Sequence, residues 1–211
     1  MSAVPVVVRP MGERALLAEV DSLEEVLALH AALDAHRPAG VVDLVPAART
    51  VLVIVDPAAL SLSAARAWIA RVAGDVRTDA AAPGPLVEIA VRYDGADLAE
   101  TAGLMGLTPP QLVARHLATE WSVAFTGFAP GFAYLVGDGW SFDVPRLPAP
   151  RTRVPGGSVA LAGAFCGAYP RETPGGWRLI GTTDAVLFDP GVDAPTLLPP
   201  RTRVRFVEVR S

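Results

Sequence analysis

The residues able to do chemistry gather between positions 125 and 183. They fall in three runs. The first is Phe125-Thr126-Gly127-Phe128-Ala129-Pro130-Gly131-Phe132-Ala133-Tyr134-Leu135. The second is Pro148-Ala149-Pro150-Arg151-Thr152-Arg153-Val154-Pro155-Gly156-Gly157-Ser158. The third holds Ala168-Tyr169-Pro170 and then Thr173-Pro174-Gly175-Gly176-Trp177. Glycine reaches backbone shapes other residues resist, and proline freezes its own φ. Alternating the two builds stiff loops whose backbone N–H groups can face a ligand, while neighbouring aromatics wall a pocket. The same composition also serves ordinary tight turns of a β-barrel. Arg146, Arg151, Arg153, Arg171 and Arg178 all fall within residues 144–181, against one acid, Glu172. Guanidinium forks match carboxylates and phosphates. They equally serve solvated surface and structural ion pairs.

Other chemistries are thinly represented. Histidine occurs only as His30, His36 and His116, and cysteine only as Cys166. No spacing among them suits a zinc site, so no metal is expected. His116 stands at the end of a predicted helix, where histidine either packs or faces a cleft. Gly156-Gly157-Ser158 lacks the strand–serine–helix context and the later histidine of a nucleophile elbow, which argues against an autonomous serine hydrolase. Cys166, flanked by Ala-Phe and Gly-Ala, reads as part of a buried strand. All 18 basic residues are arginine. A bias toward arginine over lysine accounts for that, but it still excludes a Walker A lysine and a lysine Schiff base.

The elements that must hold these residues follow from periodicity. Val4–Arg9 and Arg14–Val20 read as strands about a turn. Ser22 and Glu25 form a capping box opening a helix over 23–36. Val41–Val45 and Thr50–Val55 read as strands. Ser63 is the expected cap of a second helix with Ala65, Trp68, Ile69 and Val72 on its apolar face, ended by Gly74. Residues 79–85 read as a linker, giving an α+β sandwich over 1–84 and a second domain over 85–211. Leu86–Tyr93 and Trp121–Thr126 read as strands around a helix opened by Thr108, Pro109 and Gln111. Beyond residue 127, Gly and Pro punctuate short apolar runs at 158–162, 177–181, 185–188 and 203–209, the texture of a β-barrel.

With 211 residues and 51% hydrophobic content, the chain can bury a sizeable core. A net charge of -4 gives no general pull toward nucleic acid or anionic membrane. No apolar run is long enough for a membrane span. Met1 to Pro10 lacks the layout of a secretion signal. The expected compartment is the cytoplasm.

Gly127–Leu135, Pro150–Val159 and Tyr169–Thr183 together resemble the hallmark segments of the family of KipI and the 5-oxoprolinase B subunit, also called allophanate hydrolase subunit 1 or carboxyltransferase domain subunit 1. His116 matches the family's Leu-His before a strand. Gly12–Leu17 and Leu198–Phe206 extend the likeness weakly across nearly the whole chain. The resemblance implies an α+β N-terminal domain and a cyclophilin-like β-barrel. It implies ATP-dependent opening of 5-oxo-L-proline to L-glutamate, shared with a KipA-like C subunit and the 5-oxoprolinase A subunit. ATP would serve the complex and not be bound by this chain alone. The alternatives within the resemblance are an inhibitor of a sensor histidine kinase, or half of the carboxyltransferase of a biotin-dependent urea or amide carboxylase. Biotin enters only with the last. The segment Val91–Leu98 is shorter than the family's, Cys166 stands where threonine is usual, and Arg201-Thr202 replaces Gly-Asp. The expected site is half of a composite one. Arg151 and Arg153 hold an anion, and Gly156, Gly157 and Ser158 offer backbone donors. Phe132, Tyr134, Tyr169 and Trp177 form the wall, and His116 transfers a proton.

Overall fold

A computed structural model describes residues 4–76 and 84–209. The chain divides into two compact units, Met1–Ala82 and Pro83–Ser211. Most of the expected linker, residues 79–83, lies outside the described residues.

The first unit begins with strands β1 (Val7–Pro10) and β2 (Ala15–Glu19), joined through Gly12 at a φ of 70°. Helix α1 (Leu23–Ala35), strands β3 (Val41–Pro46) and β4 (Thr50–Val55), and helix α2 (Leu62–Asp75) follow. The four strands form one antiparallel sheet in the order β1-β2-β4-β3. The capping box forms as the sequence predicts: Glu25 N donates to Ser22 Oγ at 3.2 Å, and Ser22 N to Glu25 Oε2 at 3.0 Å. Val26, Leu29 and Leu33 of α1 and Ala65, Trp68, Ile69 and Val72 of α2 share a core with Leu16, Val51, Val53 and Val55. Two boundaries differ from expectation. Ser61, not Ser63, caps α2, accepting from Ala64 N at 3.2 Å. Gly74 sits inside the helix rather than ending it, a placement that costs only about 1 kcal/mol against alanine.

The second unit starts with β5 (Leu86–Val91), then α3 (Leu98–Leu104) and α4 (Pro109–Ala118). Strands β6 (Trp121–Thr126), β7 (Ala133–Gly137), β8 (Arg151–Val154), β9 (Ser158–Ala162) and β10 (Phe165–Ala168) follow. The series ends with β11 (Thr173–Gly175), β12 (Arg178–Thr182) and β13 (Arg203–Glu208). Seven of these form a sheet in the order β12-β9-β10-β7-β6-β13-β5, while β11 and β8 make a separate two-stranded ribbon. The parallel pair is β13 with β5; every other pairing is antiparallel. The sheet then nearly closes on itself. Arg92, just past β5, exchanges backbone bonds of 2.9 and 2.8 Å with Thr182 at the end of β12. This one bridge ties the two edge strands at one end, so the sheet is nearly closed and less of its edge is left to protect. The α+β architecture with a barrel-like second unit holds. Helix α3 was not foreseen, and the expected strand at 185–188 reduces to an isolated bridge between Phe188 and Thr196.

Gly181 makes the closure possible, because a Cβ there would collide with the Arg92 carbonyl oxygen. Gly181→Ala should therefore cost about 1–3 kcal/mol, the usual range for overpacking. Urea unfolding followed by circular dichroism measures it. A loss under about 0.5 kcal/mol would mean that the seam yields without strain.

Candidate functional site

Strand residues alternate between faces, and in β9, β10 and β12 both faces are buried. Val159 and Leu161 of β9, Cys166 and Ala168 of β10, Ala133 and Leu135 of β7, and Ile180 of β12 pack into the main core. Their neighbours Ala160, Ala162 and Leu179 face a second cluster containing Phe132, Tyr169 and Trp177, with Tyr134 and Phe165 against it. The sheet thus separates two groups of expected site residues.

The four aromatics named from sequence do converge. Phe132 lies 5.1 Å from Tyr134, 5.2 Å from Tyr169 and 5.3 Å from Trp177 between ring centroids, each pair edge-on. Gly167 lets the rings lie on the strand, since a Cβ there would sit 3.0 Å from Phe132 and 3.2 Å from Trp177. The result is a filled aromatic floor, with Phe132, Tyr169 and Trp177 buried and Tyr134 partly open. Burial raises the pKa of both tyrosines; Arg146 opposes that shift at each of them, and Arg151 opposes it at Tyr169.

Phe128 sits above this floor. It is 62% exposed, with its ring edge-on to Phe132 at 5.5 Å and to Tyr169 at 6.3 Å. Its φ is 68°, in the left-handed region, and Ala129 N donates to Gly127 O at 2.8 Å across it. A bulky residue held there costs of order 1–3 kcal/mol, a strain that clusters at functional loops.

The two arginines expected to hold an anion have partners of their own. Arg151 Nη2 donates to Asp97 Oδ1 at 2.6 Å, and its Nη1 is buried without a hydrogen-bond partner. Asp97 is itself buried, and its Oδ2 accepts from Leu179 N at 2.7 Å. Arg153 meets Glu172 at 2.5 Å on open surface, 75% and 50% exposed respectively. The glycine donors are engaged as well. Gly157, at a φ of 80°, donates its N–H to Tyr169 O at 2.7 Å. Ser158 N donates to Pro155 O at 3.3 Å. Gly156 packs against the Arg171 backbone. This run is a tight turn built into the barrel, not an open cradle.

His116 belongs to the other face. It is fully buried on α4, with Trp121 at 5.1 Å and Phe206 at 4.5 Å between ring centroids. Its Nδ1 is 2.8 Å from Tyr93 Oη and its Nε2 is 3.2 Å from Cys166 Sγ. One ring nitrogen donates and the other accepts, so the three side chains form a single neutral chain of hydrogen bonds. Burial pushes the Tyr93 and Cys166 pKa values up and brings that of His116 down to about 3. The proton-transfer role expected of His116 gives way to a structural one, since both nitrogens are satisfied and the ring has no solvent contact.

Sequence reasoning missed three features. Asp97 was readable as an acid just before a helical run. Arg146 was grouped with its neighbours and not singled out, and the backbone strain at Phe128 leaves no mark on composition. Among the described residues, no group of three or more His, Cys, Asp or Glu could hold a metal ion. No described helix is long and apolar enough to cross a membrane.

A two-unit α+β chain with a nearly closed barrel and an aromatic, arginine-edged outer face defines a class that known proteins share. The urea carboxylase of Kluyveromyces lactis has this fold: 98% of the chain superposes on 22% of that protein with a TM-score of 0.80 at 18% identity. Residues 6–198 match the carboxyltransferase domain, subdomain C and D, and the chain belongs to that family. The B subunit of 5-oxoprolinase from Escherichia coli O157:H7 is 48% identical over 124 residues, 57% of this chain and 57% of that protein. Its counterpart from Bacillus subtilis, also named as the 5-oxoprolinase B subunit, is 43% identical over 127 residues, 59% of this chain and 53% of that protein. These matches span little more than half the length of either relative. A conserved uncharacterized protein of Pyrococcus horikoshii, PH0987, is 33% identical, covering 97% of this chain and 98% of that one with a TM-score of 0.57.

The buried histidine carries a pH signature. With a folded pKa near 3 against 6.5 unfolded, the unfolded chain binds the extra proton between those values. The histidine's contribution to stability is therefore complete above about pH 6.5 and is lost as pH falls toward 3. Against wild type, His116→Gln should unfold more easily at pH 7 yet show a flatter decline below pH 6.5. The slopes should differ by up to about 1.4 kcal/mol per pH unit. His30, also lowered by burial, contributes to both proteins alike. Parallel curves from urea unfolding between pH 6.5 and 4.5 would exclude a neutral buried imidazole.

Proposed function

We propose that this chain is the B subunit of an ATP-dependent 5-oxoprolinase, inactive alone and completed by a KipA-like C subunit and the larger A subunit. The observation that carries the reading is the 41–48% identity to three proteins named as the B subunit of 5-oxoprolinase. The reaction opens the lactam of 5-oxo-L-proline to L-glutamate, using two waters and converting ATP to ADP and phosphate. The chain's own chemistry fits half of such a site better than the whole. It has no lysine for a Walker A phosphate loop. Its buried histidine and cysteine are neutral and enclosed. What it offers a partner is an aromatic floor edged by arginine, able to shape and orient a small anion while the acid–base and nucleotide groups come from elsewhere. The complex would work in the cytoplasm, where ATP is supplied.

The test is reconstitution. The purified chain should release no glutamate from 5-oxoproline and ATP. The same chain co-purified with its two partner subunits should do so, with stoichiometric ADP. Turnover by the chain alone would contradict the half-site, and an inert three-subunit complex would remove the assignment.

A further inference from the structure

We propose that the β8–β11 ribbon is a docking surface for the acidic face of a second, different protein chain, with Arg146 and Arg171 as its charged contacts. Naming that chain as one of the other 5-oxoprolinase subunits rests on the oxoprolinase reading; the surface itself rests on charge, spacing and rigidity.

Charge is spread unevenly along the chain. Residues 144–181 hold five arginines and one glutamate, +4 in a chain whose total is -4, so the remainder carries -8. Part of that local excess is consumed by the fold. Arg151 meets Asp97, and Arg178 meets Glu100. Arg153 and Glu172 meet on open surface, where a pair contributes little. Arg146 and Arg171 are both exposed, and neither has an ion pair among the described residues.

Their spacing decides what they can meet. β8 and β11 pair outside the seven-stranded sheet, with Thr173 opposite Val154 and Gly175 opposite Arg151. At one end of the ribbon, a Cβ on Gly156 would sit 3.2 Å from the Arg171 Cα. At the other end, Leu147 N donates to Gly176 O at 2.8 Å, and a Cβ on Gly176 would sit 3.7 Å from Pro150. Arg146 therefore enters at the Pro150 end and Arg171 leaves at the Gly156 end. The strand between Pro150 and Gly156 spans roughly 20 Å. No small anion reaches across that distance, whereas a protein face does, since a standard interface presents about 800 Å² per partner. A nucleic acid carries phosphates along its whole length and would meet the -8 of the remaining chain; a protein can confine its carboxylates to one face. Two copies of this chain joined ribbon to ribbon would set like charges together.

The ribbon is also held rigidly. Val154 is buried in one cluster with Phe132, Tyr169 and Trp177, which seats β8 on a packed floor. Arg178 Nε donates to Pro145 O at 2.7 Å, beside Arg146. Gly157 N donates to Tyr169 O at 2.7 Å and Tyr169 N to Ser158 O at 2.9 Å, just before Arg171. Pro148, Pro150, Pro155, Pro170 and Pro174 freeze φ along the strands and their flanks. A surface ordered in advance loses little freedom on docking.

The test captures the full tagged chain from its native host at low salt and identifies the retained proteins by mass spectrometry. The principal one is purified, and its binding to the chain is followed by surface plasmon resonance. The association rate should fall about tenfold as salt rises from about 50 to about 300 mM. The double variant Arg146→Glu with Arg171→Glu should associate at least about tenfold more slowly at low salt, with a dissociation rate within about twofold of wild type. It should also lose most of the salt dependence. Arg146→Gln and Arg171→Gln should each fall between, and thermal melting should match wild type. Arg71→Glu, at an exposed arginine of the first unit, should associate as wild type does. These responses with an oxoprolinase subunit uphold the surface and the function together. The same responses with an unrelated acidic protein uphold the surface and overturn the oxoprolinase reading. An oxoprolinase subunit that binds the double variant as fast as wild type overturns the surface and spares the function. The surface is also overturned if no protein is retained, if Arg71→Glu slows association as much as the double variant, or if the ribbon's arginines instead drive self-association of this chain.

Discussion

One buried carboxylate holds the second unit's outer face in place. Asp97 opens α3, its carbonyl accepting from Thr101 N at 2.8 Å, and it meets β12 twice through Leu179, at 2.9 Å by its N–H and 2.7 Å by Oδ2. Its remaining oxygen takes the Arg151 guanidinium, which brings in β8. The approach is so close that Gly95, two residues earlier, has no room for a side chain against the Leu179–Gly181 backbone. A charge removed from water needs every lone pair met and an opposite charge at hand, otherwise it unfolds its surroundings. Arg151 is therefore committed to the fold. Of the five arginines between 144 and 181, that leaves Arg146 and Arg171 without a carboxylate partner among the described residues.

The parts of this arrangement that were legible in sequence are those governed by local rules. The capping box at Ser22–Glu25, the strands rich in β-branched residues and the loss of helix after residue 127 all depend on nearest neighbours, and they formed as read. The convergence of Phe132, Tyr134, Tyr169 and Trp177 was also foreseen, because aromatics flanked by Gly and Pro have few places to go other than a common cluster. What escaped were properties of pairs distant in the chain. Nothing near Arg151 announces Asp97, which lies 54 positions earlier. Gly157 looks like a free donor until Tyr169 is brought beside it. Helix α3 is only 7 residues long and too short for periodicity to reveal. Arg153 was paired with Arg151, and strand alternation does put both on one side of β8, but Arg153 ended on open surface with Glu172 as its partner.

The same alternation explains why His116 and the aromatic floor, grouped together by sequence, cannot act on one ligand. A strand has two faces, and β10 uses both: Cys166 points to the histidine, Phe165 to the tyrosines. Between them stands the sheet, with Leu135, Leu161 and Trp121 fully buried. The Tyr93–His116–Cys166 chain satisfies polar groups that the core would otherwise leave without partners, and so binds the β5 end, α4 and β10 into one body. Rigidity on that side is what permits strain on the other, because a left-handed Phe128 persists only on a support that does not relax. The barrel core is thus chemically silent, and the half-site proposed above would have to use the outer face of the sheet.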